Sequence, residues 1–289
     1  MTIKGPKCDL IYGATKTRKT SMIAELAEYI WERFGKKTRV VHCDLGGYAP
    51  LEPYIEAGMI EVWPINEEQD IILTLQRAAE GYWPSVKDGK RVLTKDGLDE
   101  VMGYAFEGVT SISDRVYDYF KGKGIRLSQD QMFSYTVGEG QDKITYGGGS
   151  PSHIFEAQNR TMGAIQLSAR LPVEKVLWTA LEARGKDEGG QPVYGPQAIG
   201  KALGGKLGPV FGNFLHMEQL VIDKGVDPAT KQVRLETRPV MYLKPHAEPT
   251  TKIPFHAGTR AGIDYNAQLP EYLDPPSLKK LYVMIDEAR

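Results

Sequence analysis

The chain has 289 residues, 25% of them charged, and a formal net charge of −1. That length allows a sizeable buried core, and so balanced a charge excludes a protein that coats duplex DNA by bulk attraction, though not a local basic groove. No apolar run approaches the ~20 residues that span a bilayer, and the N-terminus lacks the apolar region of a signal peptide. A soluble cytoplasmic protein with no membrane partner is therefore expected. The 5 histidines are scattered and show no metal-ligand spacing. Cys8 and Cys43 fall in predicted strands and read as small buried residues, which fits a reducing compartment.

Residues 8–20 carry the strongest signal. A short apolar run ends at Gly13, and Lys19-Thr20 follows at the spacing of a phosphate-binding loop, G-x-x-x-x-G-K-[ST]. Arg18 stands where the second glycine belongs. Backbone N–H groups of such a loop, together with the positive end of the next helix, attract phosphate oxygens. The candidate binding residues are Gly13, Thr15, Lys16, Thr17, Arg18, Lys19 and Thr20, with Lys19 reaching the outer phosphates and Thr20 holding a magnesium ion. If position 18 needs a positive φ, arginine there is strained.

From Thr20 onward, Met22, Ile23, Leu26, Ala27, Ile30, Trp31 and Phe34 make a helical stripe that Gly35 closes. Arg39 to Asp44 reads as a buried strand, completing a βαβ unit. Segment 66–82 reads as a helix and 83–96 as a hairpin turning at Asp88-Gly89. Tyr104-Ala-Phe-Glu107 is a strand ending in an acid, and the helix after it carries Ile112, Val116 and Phe120. Residues 121–152 read as a long glycine-rich loop holding Phe133, Tyr135 and Tyr146. A helix over 152–170 feeds a strand from Glu174 to Glu182, and a second glycine-rich stretch fills 185–213. Two strands over 214–222 and 232–243 are joined by a turn at Asp223-Lys-Gly225, and a C-terminal helix carries Leu278, Leu281, Tyr282 and Ile285. The expected architecture is an α/β domain over 1–245 with a central, mainly parallel sheet, and a C-terminal extension over 246–289.

Phosphoryl transfer needs an acid near magnesium and a group that positions water. Glu107 and Asp44 end strands at the edge where open α/β folds bind ligands, so Glu107 is the candidate acid acting on magnesium and Asp44 a second acid. Either could instead cap the following helix or pair with a loop lysine. Glu182 could sense the outer phosphate through Thr179 or a water, or simply pair with Arg184. Lys201, Lys206 and Arg260 could reach a neighbouring subunit's nucleotide, or stay solvated on loops.

With these positions in place, the chain resembles the RecA-like P-loop ATPases, and most closely the phage ATP-binding proteins of that class. Four stretches carry the resemblance: Gly13-Ala-Thr-Lys-Thr-Arg-Lys-Thr20, Val40-Val-His-Cys-Asp44, Tyr104-Ala-Phe-Glu-Gly-Val-Thr-Ser111, and Leu177-Trp-Thr-Ala-Leu-Glu182 with Gly200-Lys-Ala-Leu-Gly-Gly205. The resemblance implies ATP and Mg2+ as cofactors, a homo-oligomer, a place in the cytoplasm of a phage-infected host, and action on single-stranded DNA in recombination or replication. Aromatic residues Phe133, Tyr135 and Tyr146 would stack on bases, and Arg184, Lys201 and Lys206 would track phosphates. Two departures point to slow turnover: Arg18 in the loop, and Gly46 about where RecA proper carries its water-activating glutamate. A nucleotide-gated assembly protein with little turnover is the alternative. A small-molecule kinase fits less well, because no arginine-rich lid motif is present.

Overall fold

The strand β1 (Cys8–Gly13) is buried along its whole length, as a strand covered on both faces must be. It lies inside a sheet seen in a computed structural model that describes residues 8–42, 49–64, 71, 75, 83–87, 90–94, 100–122, 134–137, 144–147, 151–186, 192–198, 207–226, 230, 233–247, 253–255, 257–259 and 268–287. Six strands run parallel in the order β3 (Ile60–Pro64), β2 (Lys37–His42), β6 (Val101–Glu107), β9 (Lys175–Lys186), β1, β11 (Asn213–Val226). The fold is mixed α/β with a central, mainly parallel sheet. β12 (Val233–Tyr242) adds to β11 in antiparallel fashion, and β10 (Pro192–Pro196) folds back on the outer half of β9. The short strands β13 (His246–Ala247), β14 (Pro254–Phe255), β15 (Gly258–Thr259) and β16 (Tyr272–Leu273) pair along the margins, so residues after 245 contribute to the same sheet.

Strand alternation sorts the core into two faces. Ile11, Leu177 and Leu215 pack with α1 (Lys19–Phe34) and with α5 (Leu278–Glu287). Leu10, Tyr12 and Trp178 pack on the other face with α3 (Val109–Gly122) and α4 (Pro151–Ser168). A small helix, α2 (Glu52–Glu56), precedes β3. The expected stripe of α1 is buried at Met22, Ile23, Leu26, Ala27 and Ile30, whereas Trp31 stays 36% exposed. Gly35 closes the helix with φ 61° and returns its N–H to the Trp31 carbonyl. The four apolar residues expected to face inward on α5 are all buried.

Three expectations need correction. The stretch 121–152 is more than a loop: β7 (Ser134–Val137) and β8 (Ile144–Gly147) form an antiparallel ribbon, because their aromatic and β-branched residues favour pairing despite the surrounding glycines. The stretch 185–213 likewise contains β10, with β9 running on to Lys186, and a single 3₁₀ turn at Gly208–Val210. Asp223-Lys-Gly225 is a bulge inside β11 rather than the hairpin's end; the Asp223 carboxylate accepts the Gly225 N–H at 2.7 Å, and Gly225 has φ 83°. The hairpin expected over 83–96 is present as β4 (Trp83–Lys87) and β5 (Lys90–Thr94). Of the helix expected over 66–82, only Ile71 and Leu75 fall among the described residues, and both are helical and buried.

A buried polar knot fixes the C-terminal helix to β1. The Asp9 carboxylate, fully buried, accepts the Asn213 backbone N–H at 3.1 Å, the Asn213 side-chain amide at 2.8 Å and the Tyr282 hydroxyl at 2.6 Å. Burial pushes the Asp9 carboxyl above its ordinary value, and Lys175 and these hydrogen bonds oppose that shift.

Tyr282→Phe leaves a buried acceptor one donor short and is expected to lower stability by about 1–3 kcal/mol in denaturant unfolding. The raised Asp9 pKa has a definite sign. The folded chain holds this proton more tightly than the unfolded one, so Asp9's contribution falls as pH rises through its folded-state pKa. Asp9→Asn removes that loss, so the variant's stability relative to the parent should improve from acid toward neutral pH.

Candidate functional site

The loop leaves the sheet at Gly13, and glycine is required there by a close approach. A Cβ would lie 2.2 Å from the Met217 carbonyl oxygen of the neighbouring strand β11. Ala14, Thr15 and Lys16 are then exposed, while Thr17 turns inward and donates its hydroxyl to the Ala14 carbonyl at 2.8 Å. Lys16 has φ 63° and Arg18 has φ 70° with ψ 24°, both left-handed. The expected strain at position 18 is thus present, and the Arg18 side chain points outward from the start of α1 without capping it. From β11, the Gln219 side-chain amide donates to the Lys16 carbonyl at 3.0 Å and braces the exposed turn. The Lys19 ammonium folds back over the loop and donates to the carbonyls of Gly13 at 2.9 Å and Ala14 at 2.6 Å.

Across the sheet edge stands the acid. Parallel pairing sets His42 beside Glu107 in register, so both side chains share one face at the ends of β2 and β6. His42 Nδ1 lies 2.7 Å from Glu107 Oε2. The Thr20 hydroxyl, in the first turn of α1, donates to Glu107 Oε1 at 2.5 Å. Glu107 is only 7% exposed, so both of its oxygens are engaged in a largely dry setting. β9 runs between β1 and β6, and there the buried Thr179 hydroxyl accepts the Gly108 N–H at 3.0 Å. Gly108 has φ 93°, which lets the chain turn from the acid straight into α3.

Among the expected site residues, Gly13, Thr15, Lys16, Thr17, Arg18, Lys19 and Thr20 form one loop, and Glu107 meets it through Thr20. Glu182 does not join them. It falls on the opposite face of the sheet, with Trp178 and Ala180, and its Oε2 lies 3.0 Å from His216 Nε2. Asp44, Phe133, Lys201, Lys206 and Arg260 lie outside the described residues, as do the side chains of Tyr135, Tyr146 and Arg184. His42 is the site residue that the sequence hides, since only the pairing of β2 with β6 brings it to Glu107.

A comparison with known protein families gives no match, and a comparison with curated proteins gives none either. Among solved structures, the chain is similar to the KaiC-like protein PH0186 from the hyperthermophilic archaeon Pyrococcus horikoshii OT3. The alignment has 10% identity, covers 86% of this chain and 89% of that one, and has a TM-score of 0.38.

Arg18→Gly relieves a left-handed arginine with no side-chain cap to lose, and part of the gain is cancelled by the looser unfolded chain. Denaturant unfolding without nucleotide should show the variant more stable by about 1 kcal/mol.

Proposed function

We propose that the chain is an ATP-binding protein of the RecA-like P-loop class that hydrolyses ATP slowly with Mg2+ and works on single-stranded DNA in phage recombination or replication. One observation carries the nucleotide part: the Thr20 hydroxyl and the Glu107 carboxylate, 87 residues apart in sequence, meet beside the lysine of a phosphate-type loop. Both are hard oxygen donors of the kind magnesium prefers, which keeps most of its waters and takes one or two protein oxygens. A bound ion there would offset charge on the outer phosphates.

The chain's own residues would act as follows. Loop N–H groups and the α1 N-terminus receive phosphate oxygens. Lys19 exchanges the Gly13 and Ala14 carbonyls for those oxygens, so the same ammonium that closes the loop opens it to ligand. His42 holds one oxygen of Glu107, which leaves the other for Thr20 and for water near the outer phosphate. Slow turnover is supported by the strained arginine in the loop and by glycine at position 46. The DNA role and the homo-oligomer rest on the sequence resemblance; the β7–β8 ribbon, with Tyr135 and Tyr146, is the segment we assign to bases.

A nucleotide-gated assembly protein is the second reading. Arg18 supports it: the residue is exposed on the loop, and its guanidinium would be open to an acid of a neighbouring subunit. ATP turnover with and without single-stranded DNA separates the two. Stimulated turnover supports the first, and tight binding with no turnover in either condition supports the second.

Lys19→Ala should weaken ATP binding by about one to two decades, the worth of a charge-assisted contact. Equal affinity by calorimetry would remove the loop from the site. Glu107→Gln should fold and bind ATP yet lose most turnover, since it keeps shape and loses charge. Unchanged turnover in that folded variant would strike Glu107 from the mechanism.

A further inference from the structure

On the sheet face opposite α1, side chains that the nucleotide reading does not use converge. Sequence spacing suggested no metal-binding pattern among the histidines, yet His216 Nδ1 and His246 Nε2 stand 3.0 Å apart. The Glu218 carboxylate reaches within 3.7 Å of His246 Nε2, and the donor atoms of the three residues all lie within 4.8 Å of one another. The signal was present in one strand: His216 and Glu218, at i and i+2 of β11, share a face.

We propose that His216, His246 and Glu218 bind a divalent first-row transition ion, with Zn2+ the best fit, and that Glu182 orients His216 from behind. The distances favour this. Ligand atoms on a tetrahedral zinc ion, at about 2.0–2.2 Å from the metal, sit roughly 3.3–3.5 Å from each other. Two of the observed separations, 3.0 and 3.7 Å, straddle that value, and the third lies within 4.8 Å, so Glu218 would move inward to close on an ion. A hydrogen bond accounts for the first contact; at 3.7 Å the second is too long for one and is an ion-pair distance, which a shared cation would also produce.

The surroundings of the two rings also suit a metal. His216 is fully buried. Its Nε2–H donates to Glu182 Oε2 at 3.0 Å, which leaves the Nδ1 lone pair facing inward. This carboxylate–histidine pairing is how metal-bound imidazoles are commonly held and made more basic. His246 Nδ1 is buried with no hydrogen-bond partner among the described residues, so an ion on Nε2 would displace only the proton shared with His216 Nδ1. Stacking fixes both rings: His216 lies on Phe255 with centroids 4.1 Å apart, and His246 on Tyr242 at 3.5 Å. The set includes two carboxylates, whose formal charge a divalent ion would offset. Three protein ligands leave the fourth position for water.

The ion would tie β13 to β11. Because side chains alternate along β11, His216 and Glu218 face the ion while Met217 packs in the core with α1 and Gln219 reaches the loop. The ion thus pins the strand that braces the phosphate loop.

Calorimetric titration of the untagged, chelator-treated full chain with Zn2+ alone should give one tight site per chain and a higher melting temperature. His246→Gln and Glu218→Gln should each weaken binding at least tenfold while circular dichroism stays that of the parent. Glu182→Gln, which touches no metal, should weaken it about 10–100-fold. Lys19→Ala should leave it intact, so loss of the ATP reading would not affect this one. If the parent takes up no stoichiometric Zn2+, or if the folded His246→Gln and Glu218→Gln chains bind it as tightly as the parent, the site is only a hydrogen-bonded histidine pair and the proposal fails.

Discussion

Everything at the C-terminal edge of the sheet depends on how closely β1 and β11 approach at Gly13. The Met217 carbonyl occupies the space that any Cβ would need, at 2.2 Å. Only glycine lets the strand reach that point and turn away. The strand's burial on both faces brings Gly13 to that edge, and the turn that follows aims the loop back toward α1. A larger residue would push β11 outward and disturb the loop together with the strand that supports it.

That strand has two jobs because of its period of two. On one face Met217 packs in the core with α1 and the Gln219 side chain braces the loop, and the alternate set, His216 and Glu218, lies in the histidine cluster on the other face. A polar cluster in this position is costly unless its groups satisfy each other. Glu182, His216 and His246 do so in part as a chain of contacts, with aromatic rings holding the imidazoles flat, while His246 Nδ1 has no hydrogen-bond partner among the described residues. At the loop, Glu107 is satisfied in the same manner by Thr20 and His42. Both sites thus hold a nearly buried carboxylate whose partners come from different strands or helices.

The parts legible in the sequence were those set by local chemistry. The loop spacing, the stripe and glycine cap of α1, the strand ending at Glu107 and the inner face of α5 all follow from periodicity and turn residues. What stayed hidden depended on pairing between distant strands. His42 meets Glu107 only because β2 lies beside β6, and His216 meets His246 only because a two-residue strand returns over β11. Glycine-rich stretches misled for a related reason. Glycine weakens a strand but does not forbid one, and β7 and β8 pair in register across the glycine-rich stretch. Glu182 was read from its strand-end position, and the parity of β9 put it on the face away from the loop.

The central claim is that the loop grips a nucleotide through Lys19 while Thr20 and Glu107 face its outer phosphates. A crystal structure of the chain with magnesium and a non-hydrolysable ATP analogue tests it most directly. The account predicts phosphate oxygens on the loop N–H groups, Lys19 turned from the Gly13 and Ala14 carbonyls onto the phosphates, and the ion beside Thr20 and Glu107. A nucleotide bound elsewhere, with Lys19 still on those two carbonyls, would contradict it.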